Sequence, residues 1–308
     1  MGVMLQMSAP VVDMVYFVRA LPVSGGEAEV TDFCVTPGGG FNAMAAARAA
    51  GMDVRLGGSL GEGPMASIVR ERLNELEIGL GRDPLSGIDQ GCCTVLLEPD
   101  GERSFVSYPG AEGRMLPDDL ARLTLDDVET VLLSGYSLHY PDARDALIEW
   151  IKALPARIAL VFDPSPVVGY LPPERLAPVL ARADWISANA AEAAVVTGIT
   201  DPEAAARSLA QGRRGALVRR GAEGCLLATS SGVQAIPSLT VDVVDTNGAG
   251  DCHIGSFIAE LSRFGNPLMA ARYASYAAAL STTRFGPATP PTRADVCARL
   301  SDSKKEAH

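Results

Sequence analysis

The sequence predicts an α/β protein with a mostly parallel β-sheet, helices on both of its faces, and a small second β-sheet. Short β-branched runs alternate with Ala- and Leu-rich helical stretches through most of the chain. Strands separated by helices of about 10 to 15 residues are typical of βαβ units and therefore of parallel sheets. Extended segments cluster in the N-terminal third, and no linker divides the chain, so we treat residues 1–308 as a single domain.

The strands predicted for the main sheet share β-branched or aromatic runs, and they are Thr130–Ser134, Ile158–Phe162, Trp185–Ala188, Ala216–Arg219 and Gly224–Ala228. The helices predicted between them are rich in Ala and Leu, and they are Asp142–Ala153, Ala190–Thr197 and Asp201–Gln211. This order of elements indicates a sheet with helices packed on both faces.

The second sheet is predicted from four extended runs with little helix between paired members: Val11–Val18, Glu27–Val35, Cys92–Glu98 and Arg103–Tyr108. Between the last two, Pro-Asp-Gly at residues 99–101 supplies the backbone angles of a tight turn. These segments, about 14–36 and 91–108, form either a flap over a site or an extension of the main sheet's edge. Periodicity alone does not separate the two.

Composition limits the classes of partner. The chain has 308 residues, 47% hydrophobic and 20% charged, with a formal net charge of -11. Such a charge repels nucleic acids and anionic membranes, so we expect neither as a partner. Met1–Ala9 does not resemble a secretory signal, and no apolar run is long enough to span a bilayer, so we expect a cytoplasmic protein. We also expect free, buried thiols at all six cysteines, Cys34, Cys92, Cys93, Cys225, Cys252 and Cys297.

The strongest chemical signal is the segment Val243–Phe257, in which a predicted β-branched strand ends at Asp245, a turn of small residues follows, and a helix is predicted from about Asp251 to Leu261. Amides of Gly248, Ala249 and Gly250 at a helix start are suited to bind an anion. A carboxylate beside them, Asp251, is suited to deprotonate an attacking hydroxyl in phosphoryl transfer. The alternative is that Asp251 only caps the helix.

A second glycine-rich turn precedes a predicted helix at residues 43–50. Gly38 and Gly39 allow close approach of a ligand to the backbone, and Asn42 offers a donor and an acceptor to a hydroxyl. Asp13, predicted to end a first strand at Pro10–Val12, is suited to accept hydrogen bonds from vicinal hydroxyls. The alternatives are that Asn42 caps the helix and that Asp13 is a solvent-facing loop residue.

A third polar group follows the strand Trp185–Ala188. One helical turn separates Asn189 from Glu192, so both side chains can face the same side. The alternative is a capping box, in which the two residues close the helix start, and both interpretations can hold at once.

The run D-T-x-G-A-G-D at residues 245–251 closely resembles the signature of the ribokinase-like, or PfkB, carbohydrate kinases. The resemblance covers about residues 10–293. It implies a three-layer α/β/α sandwich with a small β-sheet lid, an ATP-dependent sugar kinase, Asp251 as the catalytic base, and Gly248–Gly250 as the anion hole. The P-loop motif G-x-x-x-x-G-K-[ST] does not occur in the sequence, so a kinase here must be of another type.

The resemblance also implies roles for the other candidates. The acceptor sugar would be bound by Asp13, Gly38, Gly39 and Asn42. ATP and Mg²⁺ would be bound by Asn189, Glu192, Arg219, Gly221, Gly224, Thr246 and Ser275. A loop for a monovalent cation such as K⁺ would be formed by Asp245, Asn247, Arg284 and Gly286.

In this family the lid strands often pair across a dimer, so the resemblance suggests a homodimer through the lid. The acceptor is either a sugar, phosphorylated at a primary hydroxyl, or a nucleoside, since the same residues would bind ribose in both. A non-catalytic sugar-binding regulatory protein is a second alternative, against which the intact Asp251 and glycine turn argue. A nicotinamide-dependent dehydrogenase does not fit, because Gly38–Gly40 lack the spacing of a dinucleotide-binding turn.

Overall fold

The computed structural model describes residues 1–306, which form a nine-stranded main sheet, a four-stranded second sheet and eleven α-helices. The main-sheet strands are β1 (Val3–Gln6), β4 (Val54–Leu56), β5 (Gly79–Leu80), β8 (Val128–Ser134), β9 (Ala159–Asp163), β10 (Trp185–Asn189), β11 (Gly215–Arg219), β12 (Cys225–Thr229) and β13 (Gly232–Ile236). The second sheet contains β2 (Pro10–Val18), β3 (Val30–Gly39), β6 (Cys92–Leu97) and β7 (Arg103–Tyr108).

The helices are α1 (Gly40–Ala49), α2 (Pro64–Glu75), α3 (Pro117–Ala121), α4 (Tyr136–His139), α5 (Pro141–Lys152), α6 (Pro173–Arg182), α7 (Ala190–Thr197), α8 (Pro202–Ala210), α9 (Ala249–Phe264), α10 (Pro267–Ser281) and α11 (Arg293–Glu306). Short 3₁₀ helices lie at Ala111–Gly113, Pro166–Tyr170 and Gly221–Glu223. None of the helices in residues 1–306 is both long and apolar enough to cross a bilayer.

The main sheet has the strand order β13-β12-β11-β10-β9-β8-β1-β4-β5. The strands from β5 to β11 pair in parallel, whereas β12 runs antiparallel to both of its neighbours. The predicted α/β class is confirmed, and the five predicted strands and three predicted helices agree with the observed ones to within a few residues. Because the strands are parallel, their carboxyl ends meet at one edge, where ligands bind in open α/β sheets.

Both faces of the main sheet are buried, which makes the body of the protein three layers thick. On one face, Phe41 of α1 and Phe257 of α9 pack against the sheet. On the other face, Leu147 of α5 and Phe162 of β9 belong to the same buried core. Successive strand residues alternate between these two cores because side chains point to opposite faces of a strand, as Leu132 and Leu133 do.

The second sheet is separate from the main sheet, in the order β3-β2-β6-β7. Two antiparallel hairpins, β2–β3 and β6–β7, are joined by parallel pairing of β2 with β6. The predicted turn is present, since Gly101 has a φ of 89° and its N–H donates to Glu98 at 2.9 Å. We call this sheet the lid. Its separation from the main sheet decides between the two alternatives left open by the sequence.

Three local predictions were wrong. The strand predicted at Pro10–Val12 continues to Val18 and is preceded by β1, so Asp13 lies within a strand and not at the end of the first one. The β-branched run before Asp245 forms no strand, because the N–H groups of Val244 and Asp245 both donate to the carbonyl of Thr282. The cysteines are all free, as expected, but only Cys225 and Cys252 are buried, while the other four are half-buried.

Candidate active site

The turn at residues 248–250 opens helix α9. Gly248 has a φ of 72°, a left-handed conformation, and a Cβ atom there would overlap the carbonyl oxygen of Pro287. This position therefore requires glycine. The first N–H groups of a helix have no acceptor within the helix, and the helix dipole is positive at this end. The turn is therefore suited to bind an anion such as a phosphoryl group.

Asp251 lies in the first turn of α9, and Gly248, not Asp251, occupies the N-cap position. The Nδ2 group of Asn42 donates a hydrogen bond of 3.1 Å to Oδ2 of Asp251. Burial raises the pKa of Asp251 to about 6, although the bond from Asn42 acts in the opposite direction. A carboxyl group with a pKa near neutrality is suited to act as a general base.

Asn42 is buried in the first turn of α1, whose N-cap is Gly39 with a φ of 58°. Asn42 is therefore not the helix cap. Helix α1 packs against α9 closely, because a Cβ atom on Gly255 would overlap the carbonyl oxygen of Ala43. This close approach brings the Asn42 amide to Asp251. Among the described residues, no group donates to Oδ1 of Asn42.

Asp13 lies in the middle of β2, with Thr36 and Cys93 as its neighbours across the lid. Burial raises its pKa to about 6. A Cβ atom on Gly38 would overlap Oδ2 of Asp13, so the absence of a side chain at Gly38 leaves room for the carboxylate. Asp13 is thus a lid residue, and not the loop residue that the alternative proposed.

Arg219 ends β11 and forms the centre of a cluster of charged side chains. Its guanidinium lies 3.2 Å from Oδ2 of Asp163 and 3.4 Å from Oε2 of Glu192. It also donates a hydrogen bond of 3.0 Å to the carbonyl oxygen of Gly250. Burial alone would lower the pKa of Arg219, but the two carboxylates outweigh it and raise the pKa. Arg219 therefore connects the carboxylates of Asp163 and Glu192 to the backbone of the anion-binding turn.

The capping box predicted as an alternative at the start of α7 is present. The N–H of Glu192 donates to Oδ1 of Asn189, and the N–H of Asn189 donates to Oε2 of Glu192, both at 2.8 Å. Burial, followed by the charge of Asp163, raises the pKa of Glu192. Carboxylate oxygens are the donors that Mg²⁺ prefers. Both Arg219 and the N–H of Asn189 contact Oε2 of Glu192, in the first turn of α7, which leaves Oε1 as the oxygen that would bind Mg²⁺.

The predicted nucleotide-side residues are only partly brought together. Gly221 and Gly224 have φ values of 57° and 85° and flank the turn between β11 and β12. Thr246 is exposed beside the anion-binding turn. Ser275 is 3% exposed, and its hydroxyl lies 3.5 Å from Sγ of Cys225 in the core. The hydroxyl of Ser275 therefore lies in the protein core beside Cys225 and not on the surface of the predicted nucleotide site.

The predicted cation loop brings Asp245 to the N–H groups of Asn247 and Gly286, which donate to its carboxylate at 2.9 Å and 3.1 Å. Arg284 lies two residues before Gly286 on the same loop. Arg103 of the lid donates to Asp245 at 2.6 Å. With an arginine already on this carboxylate, the residues present do not fit a monovalent cation bound at Asp245. Among the described residues, no group of three or more His, Cys, Asp or Glu side chains is arranged to hold a metal ion.

The model of the pfkB family of carbohydrate kinases matches residues 8–294 of this chain. The chain belongs to the PfkB family. It is therefore a carbohydrate kinase, a phosphotransferase with an alcohol group as the acceptor, as the D-T-x-G-A-G-D run predicted.

Two similar proteins in this family cover most of the chain. The chain is 32% identical over 266 residues to the uncharacterized sugar kinase YegV of Escherichia coli, covering 84% of this chain and 82% of that protein. It is 29% identical over 295 residues to the ATP-dependent ribose-1-phosphate kinase of Halopiger xanaduensis, covering 94% and 95%. The fold is similar to that of adenosine kinase from Sinorhizobium meliloti, with a TM-score of 0.84, 19% identity and coverage of 97% and 99%.

Two charged residues of this PfkB kinase were missed by the sequence analysis. Asp163 directly follows a predicted strand, and its position at a strand's carboxyl end was the available signal. Arg103 contacts Asp245, which lies 142 residues further along the chain, and no local pattern connects them. His253, in α9 close to Asp251, is buried, and burial lowers its pKa to about 3.

Proposed function

We propose that this PfkB kinase transfers the γ-phosphoryl group of ATP to a primary hydroxyl of a sugar, with Asp251 as the base. The observation that carries the proposal is the hydrogen bond between Asn42 and Asp251 at the start of α9. It brings Asn42, a residue that we propose contacts the acceptor, next to a carboxylate in the anion-binding turn. An acceptor hydroxyl and a phosphoryl group would therefore meet at Asp251.

In the proposed reaction, Asp251 takes the proton of the acceptor hydroxyl as its oxygen attacks the phosphorus. Amides in the turn at residues 248–250 stabilise negative charge on the phosphoryl oxygens. The N–H of Ala249 donates to the carbonyl of Thr246 at 3.3 Å and must leave it to take part. Asn42 holds Asp251 in place by donating to one of its oxygens, which leaves the other oxygen for the hydroxyl. Arg219 holds the carbonyl of Gly250 and so supports the turn during transfer.

The proposed cofactors are ATP and Mg²⁺. Glu192 and Asp163 are the carboxylates that would hold the ion, with Asn189 beside them. Bound Mg²⁺ would neutralise charge on the phosphate oxygens. The nucleotide would lie along Thr246 and the Gly221–Gly224 turn.

The acceptor would lie between the lid and α1. Asp13, Gly38 and Gly39 would contact it from the lid side, and Asn42 from the body. An ionised Asp13 would accept hydrogen bonds from two vicinal hydroxyls, which is a common way of binding a sugar.

The first test replaces the proposed base. We expect Asp251→Asn to fold normally and to lower kcat by about 10²-fold or more, the range for loss of a general base. Asp242→Asn, at a nearby exposed aspartate, is the matched control and should keep wild-type activity. Coupled ADP release measures both variants. Near-normal turnover by Asp251→Asn would remove this residue from the mechanism.

The second part of the test identifies the acceptor. ADP release should be screened against pentoses, hexoses, sugar phosphates and nucleosides. Turnover restricted to nucleosides would favour the nucleoside kinase alternative, and no ATP consumption by any acceptor would favour a non-catalytic sugar-binding protein.

We also propose a homodimer formed through the lid. By register, one lid face carries four exposed apolar side chains: Phe33, Val35, Val106 and Tyr108. The lid's outermost strands, β3 and β7, also leave backbone groups free to pair with a second copy. Contact between two lids would cover both the apolar face and these edges.

A further inference from the structure

The carboxylate of Asp245 connects three parts of the protein. It is 7% exposed and lies at the start of the D-T-N-G-A-G-D run. Its oxygens accept hydrogen bonds from the N–H groups of Asn247, in the same run, and of Gly286, in the proline-rich loop that joins α10 to α11. Arg103 approaches it from the lid strand β7. The position of Asp245 therefore links the lid, the anion-binding turn and the proline-rich loop.

A buried carboxylate requires a compensating positive charge, because two N–H groups alone do not neutralise it. Arg103 supplies that charge at 2.6 Å from Oδ1, and its side chain is 25% exposed. An arginine side chain remains protonated at any pH at which the protein is folded. The negative charge of Asp245 is thus balanced by an arginine side chain of the lid.

The lid strand is held in the correct place for this contact. Arg103 pairs with Leu97 in the β6–β7 hairpin and lies on the same lid face as Asp13. A ring contact between Phe17 of β2 and Phe285, at 5.1 Å, joins the lid to the proline-rich loop beside the ion pair. A cavity of about 230 Å³ lies next to the pair and is lined by Asp245, Asn247 and Gly286. Arg103 lines the same cavity, so truncation of its side chain enlarges the space beside Asp245.

We propose that Arg103 is a built-in cation that replaces a bound monovalent cation at the Asp245 loop. Catalysis by the wild-type protein is then independent of K⁺, and Arg103 is a positioning residue that keeps the loop before the anion hole in place. This inference rests on the proposed kinase function where it is tested by kcat, but its test by the thermal midpoint Tm does not require that function. Because Arg103 belongs to the lid, the charge balance of the Asp245 loop also depends on contact between the lid and the body.

The experiment compares chloride salts of K⁺, Na⁺ and choline at equal ionic strength. In each salt, kcat and the thermal midpoint Tm are measured for the wild type, Arg103→Met and Arg103→Lys. The matched control is Arg19→Met, which removes another lid arginine, one paired with Glu29 on the exposed surface. Its activity and salt response should equal those of the wild type.

We expect wild-type kcat and Tm to be the same in all three salts. Arg103→Met should lose about tenfold in kcat in choline chloride, the order of one lost charge-assisted hydrogen bond. K⁺ should restore its kcat and raise its Tm above the values in choline chloride, because the vacated space next to Asp245 then admits a cation. Arg103→Lys, which keeps a charge, should respond to K⁺ much less.

Activation of the wild type by K⁺ over choline would overturn the inference. So would an Arg103→Met variant whose kcat and Tm do not depend on the cation present, since Arg103 would then serve the lid alone. If no acceptor supports turnover, the kinase proposal fails, but the Tm comparison still decides whether Arg103 stands in for a cation.

Discussion

At the scale of single residues, burial sets the chemistry of the two candidate carboxylates. Asp251 and Asp13 both have pKa values raised to about 6, mainly because burial disfavours the charged form. Such values keep both groups ionised at neutral pH but close to the point at which they take up a proton. The sequence was sufficient to predict Asp251 and Asp13 as candidate functional residues, whereas their pKa values depend on the packing around them.

The pH dependence of the reaction follows from these values. Because the folded-state pKa values are raised, Asp251 and Asp13 bind protons as the pH falls through about 6, and protonated Asp251 is not a base. We expect kcat/KM to be constant from neutral to mildly alkaline pH and to fall at least about tenfold per pH unit well below 6.

ADP release measured from pH 5 to 8 tests this expectation. Circular dichroism across the same range should show that the protein stays folded. A profile that is flat down to pH 5 would mean that neither carboxyl group with a raised pKa limits the reaction.

At the scale of secondary-structure elements, local patterns predicted the strands and helices of the body well and the lid strands less accurately. The βαβ elements were predictable because apolar periodicity and composition are set by neighbours within a few residues. Strand β2 was predicted as a short strand at Pro10–Val12 and also as a longer run at Val11–Val18, and its continuity was decided by pairing with β3 and β6. The β-branched run before Asp245 did not become a strand because its amides are bonded to Thr282 instead.

The Gly38 position tests how β3 supports the acceptor site. In Gly38→Ala, the new Cβ atom would overlap Oδ2 of Asp13, so the carboxylate must move away from its present position. We expect KM for the acceptor to rise about tenfold or more, the effect of losing a hydrogen bond to a charged group, with KM for ATP unchanged. Steady-state kinetics with each substrate varied in turn measures both values.

The matched control is Gly79→Ala, in the exposed edge strand β5, where a Cβ atom has no neighbour within 4 Å. Its kinetics should equal those of the wild type. An unchanged acceptor KM in Gly38→Ala would show that Asp13 does not contact the acceptor.

At the scale of the whole molecule, the arrangement of the two sheets creates the site. The parallel main sheet brings Asp163, Asn189 and Arg219 to one edge, at the carboxyl ends of β9, β10 and β11. The lid brings Asp13 and Arg103 over the start of α9. The proposed acceptor and phosphate sides of the site therefore come from different layers, and contact between the lid and the body brings them together.

The proposed dimer is tested on the exposed lid face. Val106 is 67% exposed, and a glutamate there would place a charge within an apolar contact between two lids. We expect the wild type to be a dimer and Val106→Glu to be a monomer by light scattering coupled to size-exclusion chromatography. Met269→Glu, at a 50% exposed position on α10, should remain dimeric. A monomeric wild type would contradict the proposal.

The sequence by itself determined the α/β class, five of the nine strands of the main sheet with the helices between them, and the D-T-N-G-A-G-D turn that resembles the family signature. Only the tertiary structure decided that Asn42 contacts Asp251, that Arg219 joins Asp163 to Glu192, and that Arg103 reaches Asp245. The physical reason is the range of the interactions. Periodicity, capping and turn formation depend on residues a few positions apart, whereas these contacts join segments that only the packing of the lid, α1 and the sheet brings together.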